Sequence, residues 1–306
     1  MLVSIGEILV DIFKDGNNIT TLPGGAPFNV ACNAKLYTKD VYFVGAVGND
    51  SNGELLLDCA NKVSFVKNGI KVLEDRETSK AIVTLENGER SFRFERDLGA
   101  DYALSLDDID FSIIKEGDIV HIGSLMLSHE EGRNFFNELV KRVRLIKGVK
   151  ISFDINYRDD IFPSSDFAKE IFKKALKVAD ILKFSIDKLL FLSGKDEVNE
   201  ALSTLLNDSQ IATITLGEKG SYFYKDRTLI HVDSKAVKPV DTTGAGDAFY
   251  SYFLASLVNV PNFIEDEKLI QKYISRANVV GAIATLKKGA INVAPLENEI
   301  DEFLIN

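Results

Sequence analysis

The chain has no tryptophan and only two cysteines, two methionines, three histidines and six prolines in 306 residues. Cys32 and Cys59 are too few for a disulfide framework and read as two small buried thiols. The prolines are scattered, so no Pro-rich linker is present, and neither is a low-complexity segment or an internal repeat. No run of about 18 apolar residues occurs, so no membrane span is expected. The start, Met1-Leu-Val-Ser4, has no basic region, and Glu7 and Asp11 interrupt its apolar run. It reads as a strand and not as a secretory leader, with the cytoplasm as the expected location. Basic charge is also short: 36 Lys and Arg stand against 46 Asp and Glu, a net charge of −10. That balance argues against nucleic acid or an anionic membrane as partner, since either needs a broad basic face.

What is present is an ordinary globular composition, 45% hydrophobic and 27% charged, which excludes disorder and fibre. Short apolar runs at 41–47, 118–122, 151–155, 181–184 and 211–216 read as buried strands. They are continuous and not alternating, as when both faces of a sheet are covered. Helical stripes lie between and after them: Phe135, Phe136, Leu139, Val140, Val143 and Ile146; then Phe249, Phe253 and Leu257; then Leu269, Tyr273, Ala277 and Val280. The alternation predicts an α/β fold with a mainly parallel sheet flanked by helices. Two stretches break the rhythm. Residues 77–85 and 90–96 read as a hairpin turning at Asn87-Gly88, and 12–22 is a second excursion. The expectation is one domain over 1–306, with a small β lid from about 12–22 and 73–97. Phe92 and Phe94 alternate with polar residues, so they pack either on the sheet or across a homodimer through the lid. A further pair, 221–224 and 229–232, reads as an edge hairpin.

The most informative segment is Val240-Asp-Thr-Thr-Gly-Ala-Gly-Asp-Ala-Phe249. Gly244 and Gly246 permit a tight turn with amides pointing one way, and an apolar helix begins at once. Its unpaired N–H groups and dipole make an anion site, with Asp247 in the first turn. Asp247 is either a helix-terminal acid or a catalyst. An amide anion hole beside a carboxylate suits phosphoryl transfer to a hydroxyl, the amides holding charge and the carboxylate taking the proton. No Gly-x4-Gly-Lys-Ser/Thr loop is present to do this otherwise. The second segment is Pro23-Gly-Gly-Ala-Pro-Phe-Asn29. Here a glycine turn leads into a helix with Pro27 in its first turn. Asn29 faces the loop with donor and acceptor capacity for hydroxyls, or is a surface residue.

These segments resemble the paired signatures of the PfkB (ribokinase-like) carbohydrate kinases. The first runs on to Gly45-Ala-Val-Gly-Asn-Asp50, and the second is Asp241-Thr-Thr-Gly-Ala-Gly-Asp247. Gly88-Glu-Arg-Ser-Phe92, Phe153-Asp-Ile-Asn-Tyr-Arg158 and the segment 279–291 are similar to the fructokinase branch. The resemblance implies a Rossmann-like, ribokinase-like body and ATP-dependent transfer of the γ-phosphoryl group to a sugar, fructose above all. It implies Asp247 as base, with Gly244, Ala245 and Gly246 as anion hole. It places Asp11, Gly25, Asn29 and Arg158 at the sugar. It places Ser185, Thr215, Gly217, Gly220 and Asn278 at ATP, and Asp241 and Thr243 at a monovalent cation such as K⁺. Mg²⁺ is expected with ATP. Alternatives are a 2-keto-3-deoxygluconate kinase, another PfkB sugar kinase, or a non-catalytic sugar- or nucleotide-sensing relative.

One departure stands out. The family usually has Asn/Ser-x-x-Glu where this chain has Ser185-Ile-Asp-Lys188. The Glu is associated with organising Mg²⁺, so Lys188 bears on the metal shell, and the Mg²⁺ ligands stay open. His121 reads as a core histidine and His231 as an edge-strand residue. His129 has no second histidine at metal spacing. Arg90, Arg93 and Arg96 are solvated strand arginines or reach an acidic ligand from the lid. The net charge does not exclude a polyphosphate substrate, because a glycine loop on a helix N-terminus supplies positive potential without lysines.

Overall fold

The computed structural model describes residues 1–16, 18–86 and 89–305, with side chains at all of these except 15, 85, 86 and 89–92. The expected Asn87-Gly88 turn therefore lies outside the described residues. The chain begins with β1 (Leu2–Ile5), then β2 (Leu9–Asp15), β3 (Asn18–Gly24), α1 (Ala26–Ala34), β4 (Val41–Gly48), α2 (Ser51–Val63) and β5 (Lys67–Leu73). Next come β6 (Lys80–Glu86), β7 (Glu89–Glu95), β8 (Ile119–Ile122), α3 (Glu130–Arg144), β9 (Lys150–Asp154), α4 (Ser165–Leu176) and β10 (Ile181–Ser185). The rest are α5 (Ile186–Ser193), α6 (Val198–Leu205), β11 (Ile211–Thr215), β12 (Ser221–Lys225), β13 (Thr228–Val232), α7 (Ala245–Asn259), α8 (Glu267–Ala284) and α9 (Glu297–Ile305).

The large sheet runs β13-β12-β11-β10-β9-β8-β1-β4-β5. It is parallel from β11 to β5, and the antiparallel hairpin β12–β13 forms one edge. Both faces are covered, which is why the strands carry uninterrupted apolar runs. Along β4, Tyr42, Val44 and Ala46 face one cluster with Phe135 of α3, Phe172 of α4 and Leu189 of α5. Val41, Phe43 and Val47 face the other, with Phe28 of α1, Phe253 of α7 and Ile274 of α8. Cys32 is buried and Cys59 half-buried, both as free thiols. His121 is buried in β8 and bonded to Ser152 Oγ (3.0 Å), and burial pushes it down to about 4, so it stays neutral.

The small sheet runs β3-β2-β6-β7, with β2 parallel to β6 and hairpins at each end. Its first hairpin is longer than expected, 9–24 and not 12–22, while Leu73 belongs to β5 of the large sheet. Phe94 packs, partly buried, on Leu9, Ala81 and Leu125 of the same chain. Arg96 is neither solvated nor aimed at a ligand. It is buried in an ion pair with Asp101 (2.6 Å) and also donates to Ser128 Oγ (3.0 Å). A guanidinium that leaves water needs this kind of fork-shaped carboxylate partner. The pair sits at the base of β7 and fixes where the small sheet leaves the body. Arg93 is exposed and paired with Glu95. Among the described residues, no helix is long and apolar enough to cross a membrane.

Candidate active site

The site forms where the parallel strands end, the place at which open α/β sheets leave a crevice. Two helices open into it. α7 starts at Gly244, whose φ of 73° is left-handed and whose missing Cβ would lie 2.3 Å from Ala290 Cβ. Only glycine meets both conditions, and the turn brings the first amides of α7 to the crevice, with Ala245 N–H donating at the long distance of 3.3 Å to the Thr242 carbonyl. α1 starts at Gly25, with φ 106°, where a Cβ would lie 2.4 Å from the Glu7 carbonyl oxygen. Pro27 occupies its first turn.

The two helix ends meet through one hydrogen bond: Asn29 Nδ2 donates to Asp247 Oδ2 at 2.8 Å. The bond adds to the role expected of Asn29. One of its two amide donors goes to Asp247, while the other and the buried Oδ1, which has no partner among the described residues, stay available for a hydroxyl. Burial raises the Asp247 carboxyl above its usual range, and Lys183, Asn29 and Lys188 pull it back down. Asp11, on β2, lies against Gly24, where a Cβ would come within 2.3 Å of its Oδ2. Burial and then the Asp247 charge push Asp11 up to about 7, opposed by Arg158. Arg158 is exposed on the loop after β9.

On the other side of the α7 N-terminus is a cavity of about 630 Å³. Ser185, Thr215, Gly217, Gly220 and Asn278 all line it, and so do Ala245 and Gly246. The N-terminal turn of α7 thus lines this cavity, while Asp247 in that turn is close enough to Asp11 for its charge to raise the Asp11 carboxyl. Asn278 has little left to offer a ligand. Its Oδ1 accepts from Ser221 (2.8 Å) and its Nδ2 donates to the Val232 carbonyl (2.9 Å), so it fastens α8 to the edge hairpin. Asp241 is likewise engaged. It accepts from the Thr243 amide (3.0 Å) and hydroxyl (2.8 Å), and from the Gly289 amide (3.1 Å). These bonds hold the loop before Gly244 closed.

Two residues with roles here were missed. Lys183, in β10, is buried and paired with Asp154 (2.7 Å), and its Nζ would lie 3.3 Å from a Cβ on Gly246. A lysine between Leu182 and Phe184 in an otherwise apolar strand was the available signal. Glu7 is fully buried at the exit of β1 with neither carboxyl oxygen hydrogen-bonded. Burial pushes it up to about 8, which keeps it protonated at neutral pH. Lys183 and Lys188 also correct the expectation that positive potential here comes without lysines.

The donor set decides how a divalent cation fits. Among the described residues, no group of three or more His, Cys, Asp or Glu is placed to hold a metal. Next to the anion hole stand Asp247 and the Lys183–Asp154 ion pair. A hard cation such as Mg²⁺ commonly arrives on nucleotide phosphates with its own waters, and such an ion needs no protein cage.

Comparison with known proteins agrees with this geometry. The profile of the pfkB family carbohydrate kinases matches residues 1–297. The protein named probable fructokinase-5 of Arabidopsis thaliana is 35% identical over 306 residues, covering 96% of this chain and 94% of the relative. The fructokinase of Vibrio cholerae O395, solved with fructose, ADP and calcium, superposes with a TM-score of 0.90 at 31% identity, covering 99% of this chain and 98% of that one. The aminoimidazole riboside kinase of Salmonella enterica gives 0.86 at 28% identity, covering 99% of both chains. The anion hole, the cavity and the two glycine turns are thus found in a chain that belongs to the pfkB family of carbohydrate kinases.

Proposed function

We propose that this protein transfers the γ-phosphoryl group of ATP to a hydroxyl of a monosaccharide, with fructose as substrate. The observation that carries the reading is the placement of Asp247. Its carboxylate, held by Asn29, sits in the first turn of α7, whose N-terminal residues line a nucleotide-sized cavity, and its charge reaches Asp11. Fructose as substrate is supported by the fructokinase relatives, one of them solved with fructose and ADP.

In the reaction the sugar oxygen attacks the γ-phosphorus as Asp247 takes the hydroxyl proton. The new O–P bond forms while the bond to the β,γ-bridging oxygen breaks, and ADP leaves with that electron pair. The amides at 244–246 hold charge on the transferring group without reorganising. Asp11 and Arg158 orient the sugar, and Asn29 aims the base. The small sheet acts as a lid that excludes water when sugar is bound. Mg²⁺ bound to the nucleotide would supply charge neutralisation, and a monovalent cation such as K⁺ would share oxygens of the Asp241–Thr243 loop that already accept hydrogen bonds.

The test is ADP release with saturating MgATP and a panel of fructose, glucose, ribose and 2-keto-3-deoxygluconate. Fructose should give the highest kcat/KM. A higher value for the acidic sugar would move the substrate assignment, with Arg158 as its carboxylate partner. Sugar binding without turnover of any substrate would make the protein a sensor.

A further inference from the structure

We propose that Lys188 is a phosphate-binding residue, a fixed cation at the junction of the nucleotide cavity and Asp247. The proposal rests on the phosphotransfer reading above. Lys188 lies in the first turn of α5, directly after Ser185, Ile186 and Asp187, which line the cavity. Its Nζ turns inward and donates to Asn156 Oδ1 at 2.9 Å.

The charges around it are unusual. Lys183 is neutralised by Asp154 at 2.7 Å. Lys188 makes its hydrogen bond to a neutral amide and forms no ion pair among the described residues. Its charged neighbours are Arg158, Asp154, Lys183 and Asp247. Asp154 is already paired with Lys183, so a half-buried ammonium beside Arg158 and Lys183 has Asp247 alone to offset it, and a further anion would lower its cost. An arriving polyphosphate is such an anion. The hydrogen-bond count agrees: an ammonium has three donors, Asn156 takes one, and two remain for phosphoryl oxygens. No acceptor among the described residues takes those two.

The free protein shows the strain of this arrangement. Burial and then the Arg158 charge bring Lys188 down to about 8. A bound phosphate raises it again, since an opposite charge favours the ammonium form. Nucleotide affinity should therefore fall as pH rises through about 8 and Lys188 loses its proton. Part of the nucleotide's charge is also met by the protein itself, so binding should persist when divalent ions are chelated.

Calorimetric titration of ATP into the sugar-free protein tests this, with Mg²⁺ and again in EDTA, at pH 7.5 and pH 9. Lys188→Gln should weaken binding in EDTA by about tenfold or more, the size of a lost charged hydrogen bond, and by less with Mg²⁺. Lys188→Arg keeps the charge and should stay within about threefold. Wild-type affinity should fall between the two pH values, while the Lys188→Gln protein should not change. Lys188→Gln within twofold of wild type in both media would overturn the proposal. A flat wild-type pH profile would overturn it too, and that arm needs no variant to fold. Failure of the wild type to bind ATP even with Mg²⁺ would instead overturn the phosphotransfer reading.

Discussion

Replacing Gly244 by alanine tests whether the turn before α7 is built for its amides. The new methyl would meet Ala290 Cβ at 2.3 Å and Ala290 Cα at 2.7 Å, and the backbone is left-handed with φ 73°. The left-handed conformation alone costs an L-residue about 1–2 kcal/mol. Overpacking against backbone adds about 1–3 kcal/mol. Relief requires moving Ala290, which would stretch the Asn33–Ala290 bond (2.9 Å) and the Gly289–Asp241 bond (3.1 Å). The expected loss of stability is about 2–5 kcal/mol in denaturant unfolding. Because the displaced amides are those proposed to hold the phosphoryl group, kcat should fall by about 10²-fold, the scale of losing an oxyanion donor. Gly217→Ala is the internal control. Its φ of 64° is also left-handed, but a Cβ there meets nothing within 4 Å, so only the conformational strain remains. Gly244→Ala within about 0.5 kcal/mol of wild type, the range of a neutral surface change, would refute the packing argument. Wild-type kcat in a destabilised Gly244→Ala protein would refute the anion hole.

Three other outcomes are expected. Asn29→Ala removes the donor to Asp247 and should lower kcat by about tenfold or more while fructose KM stays within threefold; a raised KM with unchanged kcat would place Asn29 on the sugar instead. Asp11 accepts sugar hydroxyls as a carboxylate, so fructose KM should rise as pH falls through about 7, and Asp11→Asn should abolish that dependence in steady-state assays. Glu7 has a folded-state pKa raised from 4.5 to about 8, so its stabilising protonated state is fully present below 4.5 and is lost as pH rises through 8. Glu7→Gln should therefore gain in thermal stability on wild type between pH 6 and 9; parallel melting curves across that range would contradict it.

Much of the fold was legible because local patterns carry it. The continuous apolar strands, the stripe of α7 and the turn at Gly244 each announce a physical requirement within a few residues. Pairings between distant segments were not legible. Asn29 meets Asp247 across 218 positions, and Lys183 meets Asp154 across 29, through tertiary packing that no local period encodes. Asn29 was read as facing a ligand because its type and place allow it, and its partner appears only when α1 and α7 converge. Arg96 went the same way, its guanidinium consumed by Asp101 and Ser128 inside the protein. Glu7 was visible as an acid interrupting an apolar run, but the sequence gives no sign that its carboxyl is sealed against Gly123 and Pro27.

The most direct test of the account is the turnover of Asp247→Asn with MgATP and fructose. The substitution keeps shape and removes the proton acceptor. The account predicts a fall in kcat of about 10²–10⁴, with ATP affinity within threefold of wild type. A fall of less than tenfold would contradict Asp247 as the base.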